Sequence, residues 1–434
     1  MIPYGKQSID ADDIAAVVRV LESDYLTTGP EVALFEAEFA AMVGAKHAVA
    51  VASGTAALHL AMLVAGVGSG DRVLTTPYTF LASANAAAMV GAVPDFCDIE
   101  PETFNLCPRS LAENWQDDVR AVVAVDYAGR PANMPAIAGV AREHGAVVIE
   151  DACHGIGSQF FHHGEIYSVG GQPWADITTY SFHPVKTMTT GEGGMLVTDN
   201  EEYAERARLL RSHGITRDHS QFSVFVNPSP ITDHRSPITE SGPWTYEMQA
   251  LGYNFRITDI QCALGRSQLK KLPQFIRRRQ EIVDRYNSAF RNLSWLRTPK
   301  SEGYGSSNMK DGEEKSQVSL ISSDQSKRIS DFPYPETPRV SWHLYSVQIY
   351  FDALGKTRTE VMNDLREQGI GTQVHYIPVY LQPWYQETFG YKQRKCPNAE
   401  SCYRKALSLP LYPAITDDDV ASVIRAVRKL ASHP

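Results

Sequence analysis

Strand-like and helix-like segments alternate along the first third of the chain, and this alternation constrains the fold more than any other feature. The β-type runs are residues 48–52, 73–76, 93–99, 121–125 and 146–149. Helix-type runs lie between them at 56–65, 82–90 and 134–144. Such alternation predicts βαβ units, and therefore an α/β fold with a mostly parallel sheet. Ligands bind at the carboxyl ends of the strands in sheets of this kind, so functional residues are expected directly after strands.

The length of 434 residues predicts more than one domain. We expect a large domain over 1–272 and a small C-terminal α/β domain over 273–434, with the boundary near Leu272 and Pro273. Two helix patterns, 257–272 and 275–290, flank that boundary. The small domain is predicted to contain strands at 340–350 and 372–377 and helices at 358–368 and 417–431. Residues 301–331 are rich in Ser, Gly, Lys, Asp and Glu, which predicts a mobile surface insertion.

Composition excludes several classes of function. The net charge of -9 and the lack of a basic cluster argue against nucleic acid as a partner. The run Arg277 to Arg279 lies on a helix pattern and is interpreted as a solvated helix face. No apolar run reaches about 18 residues, and the first twelve residues are polar, so we expect neither a membrane span nor a signal peptide, and a cytoplasmic location.

Cysteine and histidine spacing indicates no metal site. The six cysteines show no CxxC spacing, so reduced thiols are expected rather than disulfides or zinc ligands. His162 and His163 fall in a hairpin-like stretch beside Gly164 and are interpreted as a solvated turn.

Lys186 is the first candidate catalytic residue. It follows a β-type run at 177–182 and precedes a Thr/Gly turn that leads into a second run at 195–198. A lysine between two buried strands is partly desolvated, which favours the neutral amine and makes it a nucleophile towards carbonyls. Pyridoxal phosphate (PLP) is the cofactor that most often uses such a lysine. The plain alternative is a surface lysine at a strand end.

Asp151 is the second candidate, because it follows the run at 146–149. PLP needs a carboxylate that keeps its ring nitrogen protonated, so that the ring can accept electrons. Taken alone, Asp151 is equally well explained as a turn or cap residue. The pair Lys186 and Asp151, both at carboxyl strand ends, favours PLP.

The phosphate of PLP needs several donors, and the start of a helix supplies them. Gly54 and Thr55 lie where the run at 48–52 turns into a helix, which leaves free N–H groups and a positive dipole end. Phe80 is a candidate to stack on the pyridine ring, and His154 to lie against its ring oxygen. Caps, turns and core packing are the alternatives for each. The candidate phosphate ligands are Gly54, Thr55, Ser181 and Asn254.

Six motifs make the chain similar to a known family. They are SGTAALHL (53–60), PYTF (77–80), EDACH (150–154), SFHPVK (181–186), GYNFR (252–256) and VHYIP (374–378). With these motifs the chain resembles the DegT/StrS-type sugar aminotransferases over nearly its whole length. The resemblance implies the aspartate-aminotransferase-like fold (PLP fold type I), with a large, mostly parallel sheet domain and a small C-terminal α/β domain.

The resemblance also implies roles for individual residues. Lys186 would carry PLP, Asp151 would meet the ring nitrogen, and Asn254 would reach the phosphate of a neighbouring subunit. A homodimer with shared sites is therefore expected. The residues expected to contact substrate are Tyr4, Thr28, Arg256, His375 and Tyr376.

Within the family, residues 2–4, 26–30, 189–194 and 246–249 are most similar to the transaminases of pseudaminic acid biosynthesis. That branch implies glutamate as amino donor and a nucleotide-linked 4-keto-6-deoxy sugar, of UDP-linked N-acetyl type, as acceptor. The stretches 222–241 and 301–331 depart from the pattern, so the nucleotide, the sugar and the configuration at C4 stay open. The second hypothesis is a PLP-dependent sugar dehydratase, a relative within the family, but such an enzyme has histidine where this chain has Lys186. A non-catalytic regulator of the same fold is the third hypothesis.

Overall fold

The computed structural model describes residues 1–222, 242–300 and 339–431. The predicted insertion at 301–331 and nearly all of the stretch 222–241 lie outside these residues. The helices are α1 (Ala11–Leu21), α2 (Pro30–Val43), α3 (Gly54–Val64), α4 (Ala82–Met89), α5 (Pro108–Glu113), α6 (Met134–Glu143), α7 (Glu201–Arg211), α8 (Asp259–Phe290), α9 (Phe351–Leu354), α10 (Arg358–Glu367), α11 (Pro383–Phe389), α12 (Pro397–Lys405) and α13 (Asp417–Lys429). The strands are β1 (His47–Val51), β2 (Arg72–Thr75), β3 (Val93–Phe96), β4 (Val119–Val125), β5 (Val147–Asp151), β6 (Gln159–His162), β7 (Glu165–Ser168), β8 (Ile177–Ser181), β9 (Gly194–Thr198), β10 (Ile215–Thr216), β11 (Glu247–Met248), β12 (Leu296–Arg297), β13 (Tyr345–Ile349) and β14 (Ala406–Leu409).

A seven-stranded sheet in the order β1-β9-β8-β5-β4-β2-β3 organises the larger part of the chain. Strands β8, β5, β4, β2 and β3 pair in parallel, whereas β9 runs antiparallel to both of its neighbours. The prediction of an α/β fold with a mostly parallel sheet is confirmed. Strand β9 is buried along its whole length, as expected for a sheet covered by helices on both faces.

Helix α8 corrects the sequence-based prediction of two helices flanking Pro273. It runs without interruption for 32 residues, with Pro273 in its interior. Proline removes one backbone hydrogen bond from a helix, but here both halves are anchored by burial. Leu272 and Ile276 pack in a core of the larger part, whereas Ile282 and Tyr286 pack in the C-terminal core. The helix thus connects two cores, and the domain boundary near 272 stays a prediction.

The run of three arginines in α8 is not the solvated face that the sequence suggested. Arg277 is exposed and Arg278 pairs with Asp417 at 2.7 Å. Arg279 is only 1% exposed, and burial lowers the pKa of its guanidinium to about 10. Its Nη1 donates to the backbone carbonyls of Trp342 at 3.3 Å, His343 at 3.2 Å and Leu411 at 3.0 Å. Arg279 therefore ties the long helix to the segment that leads into β13 and to the segment that follows β14.

The C-terminal part is built on the antiparallel sheet β12-β13-β14. Helices α10 and α13 pack on it around a core that includes Val347, Leu365 and Val423. The strand predicted at 372–377 is absent, and Gln373 alone forms an isolated bridge, with Ser408. The carbonyl of His375 accepts from the side chain of Tyr127, at 2.9 Å from its Oη, rather than from a neighbouring strand. No helix in the described residues is both long and apolar enough to cross a membrane.

Candidate active site

A cavity of about 560 Å³ opens where the sheet strands end. Pockets of this size suit a cofactor or a substrate-sized ligand. The side chains that line it come from the start of the chain, from the loops after β1, β2, β5 and β8, and from the C-terminal part. The predicted residues that the structure brings together here are Tyr4, Gly54, Thr55, Phe80, Asp151, His154, Ser181, Lys186, His375 and Tyr376.

Lys186 lies in a turn after β8. Its backbone N–H donates to His183 O at 2.8 Å, which fixes the turn and directs the side chain into the cavity. Burial lowers the pKa of the Lys186 amine, while the nearby Cys153 and Asp151 act in the opposite direction. A lowered pKa increases the fraction of neutral amine, which is the nucleophilic form.

Asp151 is the last residue of β5 and is 4% exposed. One carboxylate oxygen accepts from Ser83 Oγ at 2.6 Å, and the other accepts from the Cys153 N–H at 3.1 Å. Thr79 Oγ1 lies 2.9 Å from Ser83 Oγ and completes the chain of contacts. These bonds hold the carboxylate in one orientation. Strands β5 and β8 are neighbours, so Asp151 and the turn of Lys186 share the same sheet edge.

Ser83 and His343 are site residues that sequence reasoning missed. Ser83 lies near the start of α4, four residues after Thr79, and its contact with Asp151 spans 68 positions of the chain, so no local signal marked it. His343 lies just before β13, in a segment whose apolar residues indicated only a strand. Both line the cavity.

Three buried histidines surround the cavity. The rings of His154 and His343 are 4.2 Å apart, and burial lowers the pKa of each well below its usual value. His154 Nδ1 accepts the N–H of Ala128 at 3.3 Å, so the ring proton of the neutral form is on Nε2, which lies 3.3 Å from Tyr376 Oη. Burial also lowers the pKa of His375, to about 4. All three rings are neutral at pH 7, so they supply polar contacts rather than positive charge.

The start of α3 forms a cradle for an anion. Ser53 Oγ accepts from the Ala56 N–H at 3.1 Å, while the N–H groups of Gly54 and Thr55 have no partner within the helix. A Cβ on Gly54 would lie 2.7 Å from Ser181 Cβ, so only glycine permits this approach. Gly54, Thr55 and Ser181 are placed to hold a phosphate group.

The donor set fits PLP as a whole. Lys186 would supply the amine for the aldehyde, and Asp151 would supply a carboxylate for the ring nitrogen. Phe80 is 57% exposed beside the cavity, which leaves its face free for a ring. Among the described residues, no group of three metal-ligating side chains is found. His162 and His163 lie on the β6–β7 hairpin, away from the cavity lining.

Thr28, Asn254 and Arg256 lie outside the cavity of their own chain. Thr28 and Arg256 line a separate cleft of about 270 Å³, and Arg256 Nη1 donates to Ser212 Oγ at 3.2 Å. Asn254 forms an isolated bridge with the same Ser212. The turn at Thr28 is held there because its neighbour Thr27 bridges to Thr258 at the start of α8. One chain therefore does not bring these residues to Lys186.

Comparison with known proteins assigns this arrangement to a family. The model of the DegT/DnrJ/EryC1/StrS aminotransferase family matches residues 7–311 and 314–428. The chain is 39% identical to the spore coat polysaccharide biosynthesis protein SpsC of Bacillus subtilis, over 99% of this chain and 97% of SpsC.

Solved structures of similar fold include the following two. One is Helicobacter pylori PseC, an aminotransferase involved in the biosynthesis of pseudaminic acid, with 27% identity, a TM-score of 0.79, and 99% of both chains covered. The other is Spr1654 of Streptococcus pneumoniae in its PLP-form, with 25% identity and a TM-score of 0.80, covering 99% of this chain and 98% of that chain. These likenesses confirm the expected fold type.

Proposed function

The chain belongs to the DegT/DnrJ/EryC1/StrS aminotransferase family, and from that premise we propose that it uses PLP to move an amino group from glutamate to C4 of a nucleotide-linked 4-keto-6-deoxy sugar. One observation carries the proposal. Lys186 and Asp151, an amine of lowered pKa and an oriented carboxylate, lie on neighbouring strand ends in one cavity beside an anion cradle.

When bound, PLP supplies the electron sink that amino transfer needs. Binding of the cofactor and proton transfer are the roles of the residues of the chain. Gly54, Thr55 and Ser181 would hold the phosphate, and Asp151 would keep the proton on the ring nitrogen. The Lys186 amine would hold the aldehyde and move the proton at the reacting carbon.

A homodimer with shared sites is part of the proposal. The segment that precedes Asn254 exposes large apolar side chains, with Trp244 at 68% and Leu251 at 76% exposure. Exposed apolar patches of this kind mark protein interfaces. A partner packed on this surface would bring its Asn254, and the cleft of Thr28 and Arg256, towards the cavity of the first chain.

Replacing Asn254 tests the shared site. The variant Asn254→Ala should lose PLP on dialysis faster than the native protein, because one hydrogen bond to the phosphate is removed. Absorbance of the bound cofactor measures the retention. Asn292→Ala, an exposed asparagine elsewhere, is the matched control. Equal retention in Asn254→Ala and the control would argue against the contact.

The proposed acceptor is a UDP-linked N-acetyl sugar of the pseudaminic acid type. The similarity to PseC over 99% of both chains supports this choice. Lys186 disfavours a sugar dehydratase, because those enzymes have histidine at the matching position. A non-catalytic regulator of this fold would be expected to have lost Lys186, Asp151 or the candidate phosphate ligands, and all of them are present in this chain.

A substrate panel tests the proposed acceptor. The PLP-loaded protein is incubated with glutamate and UDP-, dTDP- or GDP-linked 4-keto-6-deoxy sugars, and amino sugars are identified by mass spectrometry. We expect turnover of the UDP-linked N-acetyl sugar and none in Lys186→Ala. Transfer to another sugar alone would refute the acceptor but keep the reaction. No amino sugar from any substrate would refute both.

A further inference from the structure

A small cleft on the C-terminal sheet has the features of a binding site and shares no lining residue with the active-site cavity. Arg297 on β12 is paired directly with Gln348 on β13, so both side chains project from the same face of the sheet. Lys405, at the end of α12, closes the other side. Its Nζ lies 3.3 Å from Ser401 Oγ and 5.5 Å from the ring centre of Tyr350.

Arg297 and Lys405 give this cleft its positive charge. Within residues 1–222, 242–300 and 339–431, neither Arg297 nor Lys405 forms an ion pair with a carboxylate. The nearby acids are engaged elsewhere. Glu102, which is within electrostatic reach of Arg297, pairs with Lys300. Asp98 accepts two backbone N–H groups from the first turn of α12. The cleft is thus lined by two cationic side chains that have no carboxylate partner in the described part of the chain.

Gln348 provides an independent indication of a ligand. The residue is 6% exposed, and its Nε2 has no hydrogen-bond partner in the described part of the chain. A buried donor without an acceptor is costly, and native structures rarely keep one unless a ligand or a water satisfies it. An anion between the two cations would accept this hydrogen bond.

We propose that the cleft formed by Arg297, Gln348 and Lys405 binds a phosphate-sized oxyanion, as free phosphate or as the phosphate group of a small ester. The cleft measures about 80 Å³. This is far below the range of about 300–1,000 Å³ that holds a whole cofactor or drug-sized ligand. It suits a compact anion whose oxygens meet two cations and one amide.

Titration calorimetry tests the proposal on PLP-loaded protein, because the cofactor then fills the phosphate cradle of the active site. The buffer contains no phosphate or sulfate, and the probes are inorganic phosphate in one arm and glycerol 3-phosphate in the other. We expect binding of at least one probe. The variants Arg297→Met and Lys405→Met should each weaken it about tenfold or more, since each removes a charge-assisted hydrogen bond.

Arg404→Met is the matched control, because Arg404 is the neighbour of Lys405 on α12 and its side chain is 65% exposed. It should bind the probe as the native protein does. Circular dichroism checks that every variant is folded. Binding of phosphate alone identifies the free ion as ligand, and binding of the ester identifies a phosphorylated metabolite. No heat with either probe, or native affinity in both Arg297→Met and Lys405→Met, overturns the proposal.

Discussion

The variant Gly54→Ala tests the anion cradle quantitatively. Its new Cβ would lie 2.7 Å from Ser181 Cβ and 3.3 Å from Cys153 Sγ. Carbon atoms prefer a separation of about 3.5–4.0 Å, so the start of α3 and the end of β8 must move apart by roughly 1 Å. These two elements carry the proposed phosphate donors. Loss of one hydrogen bond to a charged group costs about 1.5–3 kcal/mol, which predicts a PLP dissociation constant raised roughly 10- to 150-fold.

The assay is a titration of the cofactor-free protein with PLP, followed by absorbance. Gly139→Ala is the matched control, because Gly139 also lies in a helix and a Cβ there meets nothing within 4 Å. That substitution should stabilise α6 by roughly 1 kcal/mol and leave PLP affinity unchanged. Equal PLP affinity in Gly54→Ala and Gly139→Ala would refute the assignment of the phosphate to the start of α3.

Two further predictions concern the buried basic side chains His375 and Arg279. Burial lowers the pKa of His375 from 6.5 to about 4. The unfolded chain therefore takes up the proton first, and stability is lost as the pH falls from 6.5 to 4. Urea unfolding measures the free energy of unfolding at each pH, and His375→Gln should remove about 3 kcal/mol of the loss between pH 6.5 and 4. The exposed His219→Gln is the control. A pH dependence of stability in His375→Gln equal to that of the native protein would contradict this. Arg279→Met should lower the free energy of unfolding by about 3 kcal/mol, because the backbone carbonyls that now accept from Arg279 would be buried without a donor. Substitution of the exposed neighbour, Arg277→Met, should change it by less than about 0.5 kcal/mol. Similar losses in both arginine variants would contradict the role of Arg279.

The sequence was sufficient for features that depend on local patterns. Apolar runs of strand length separated by helical runs predicted the parallel sheet, and position after a strand predicted that Lys186 and Asp151 share an edge. A small-residue turn likewise predicted the start of a helix next to Gly54, where α3 begins. Each of these signals is carried by a few consecutive residues.

Features that depend on packing between distant segments were not predictable. The contact of Ser83 with Asp151 joins residues 68 positions apart, and no spacing in the chain indicates it. Pro273 predicted a break in α8, but burial of both helix halves outweighs one missing hydrogen bond. The sequence did not distinguish the buried Arg279 from its exposed neighbour Arg277. Arg279 is buried because backbone carbonyls of distant segments accept its hydrogen bonds, and no local pattern shows them.

The separation of Thr28 and Arg256 from the cavity has a similar origin. Both belong to motifs that suggested one substrate pocket, but they line a separate cleft of the same chain, next to the bridge from Thr27 to Thr258. A sequence motif indicates membership of a site without indicating which copy of the chain supplies it. In the proposed dimer, the partner would bring these residues to the site.

Borohydride reduction of the PLP-loaded protein, followed by digestion and mass spectrometry, tests the central role of Lys186 most directly. Reduction makes the bond between the lysine amine and the cofactor permanent, so the modified peptide reports which lysine holds PLP. We predict the modification on Lys186 in the native protein and its loss in Lys186→Ala. Modification of a different lysine in the native protein, or an undiminished modification in Lys186→Ala, would contradict the account.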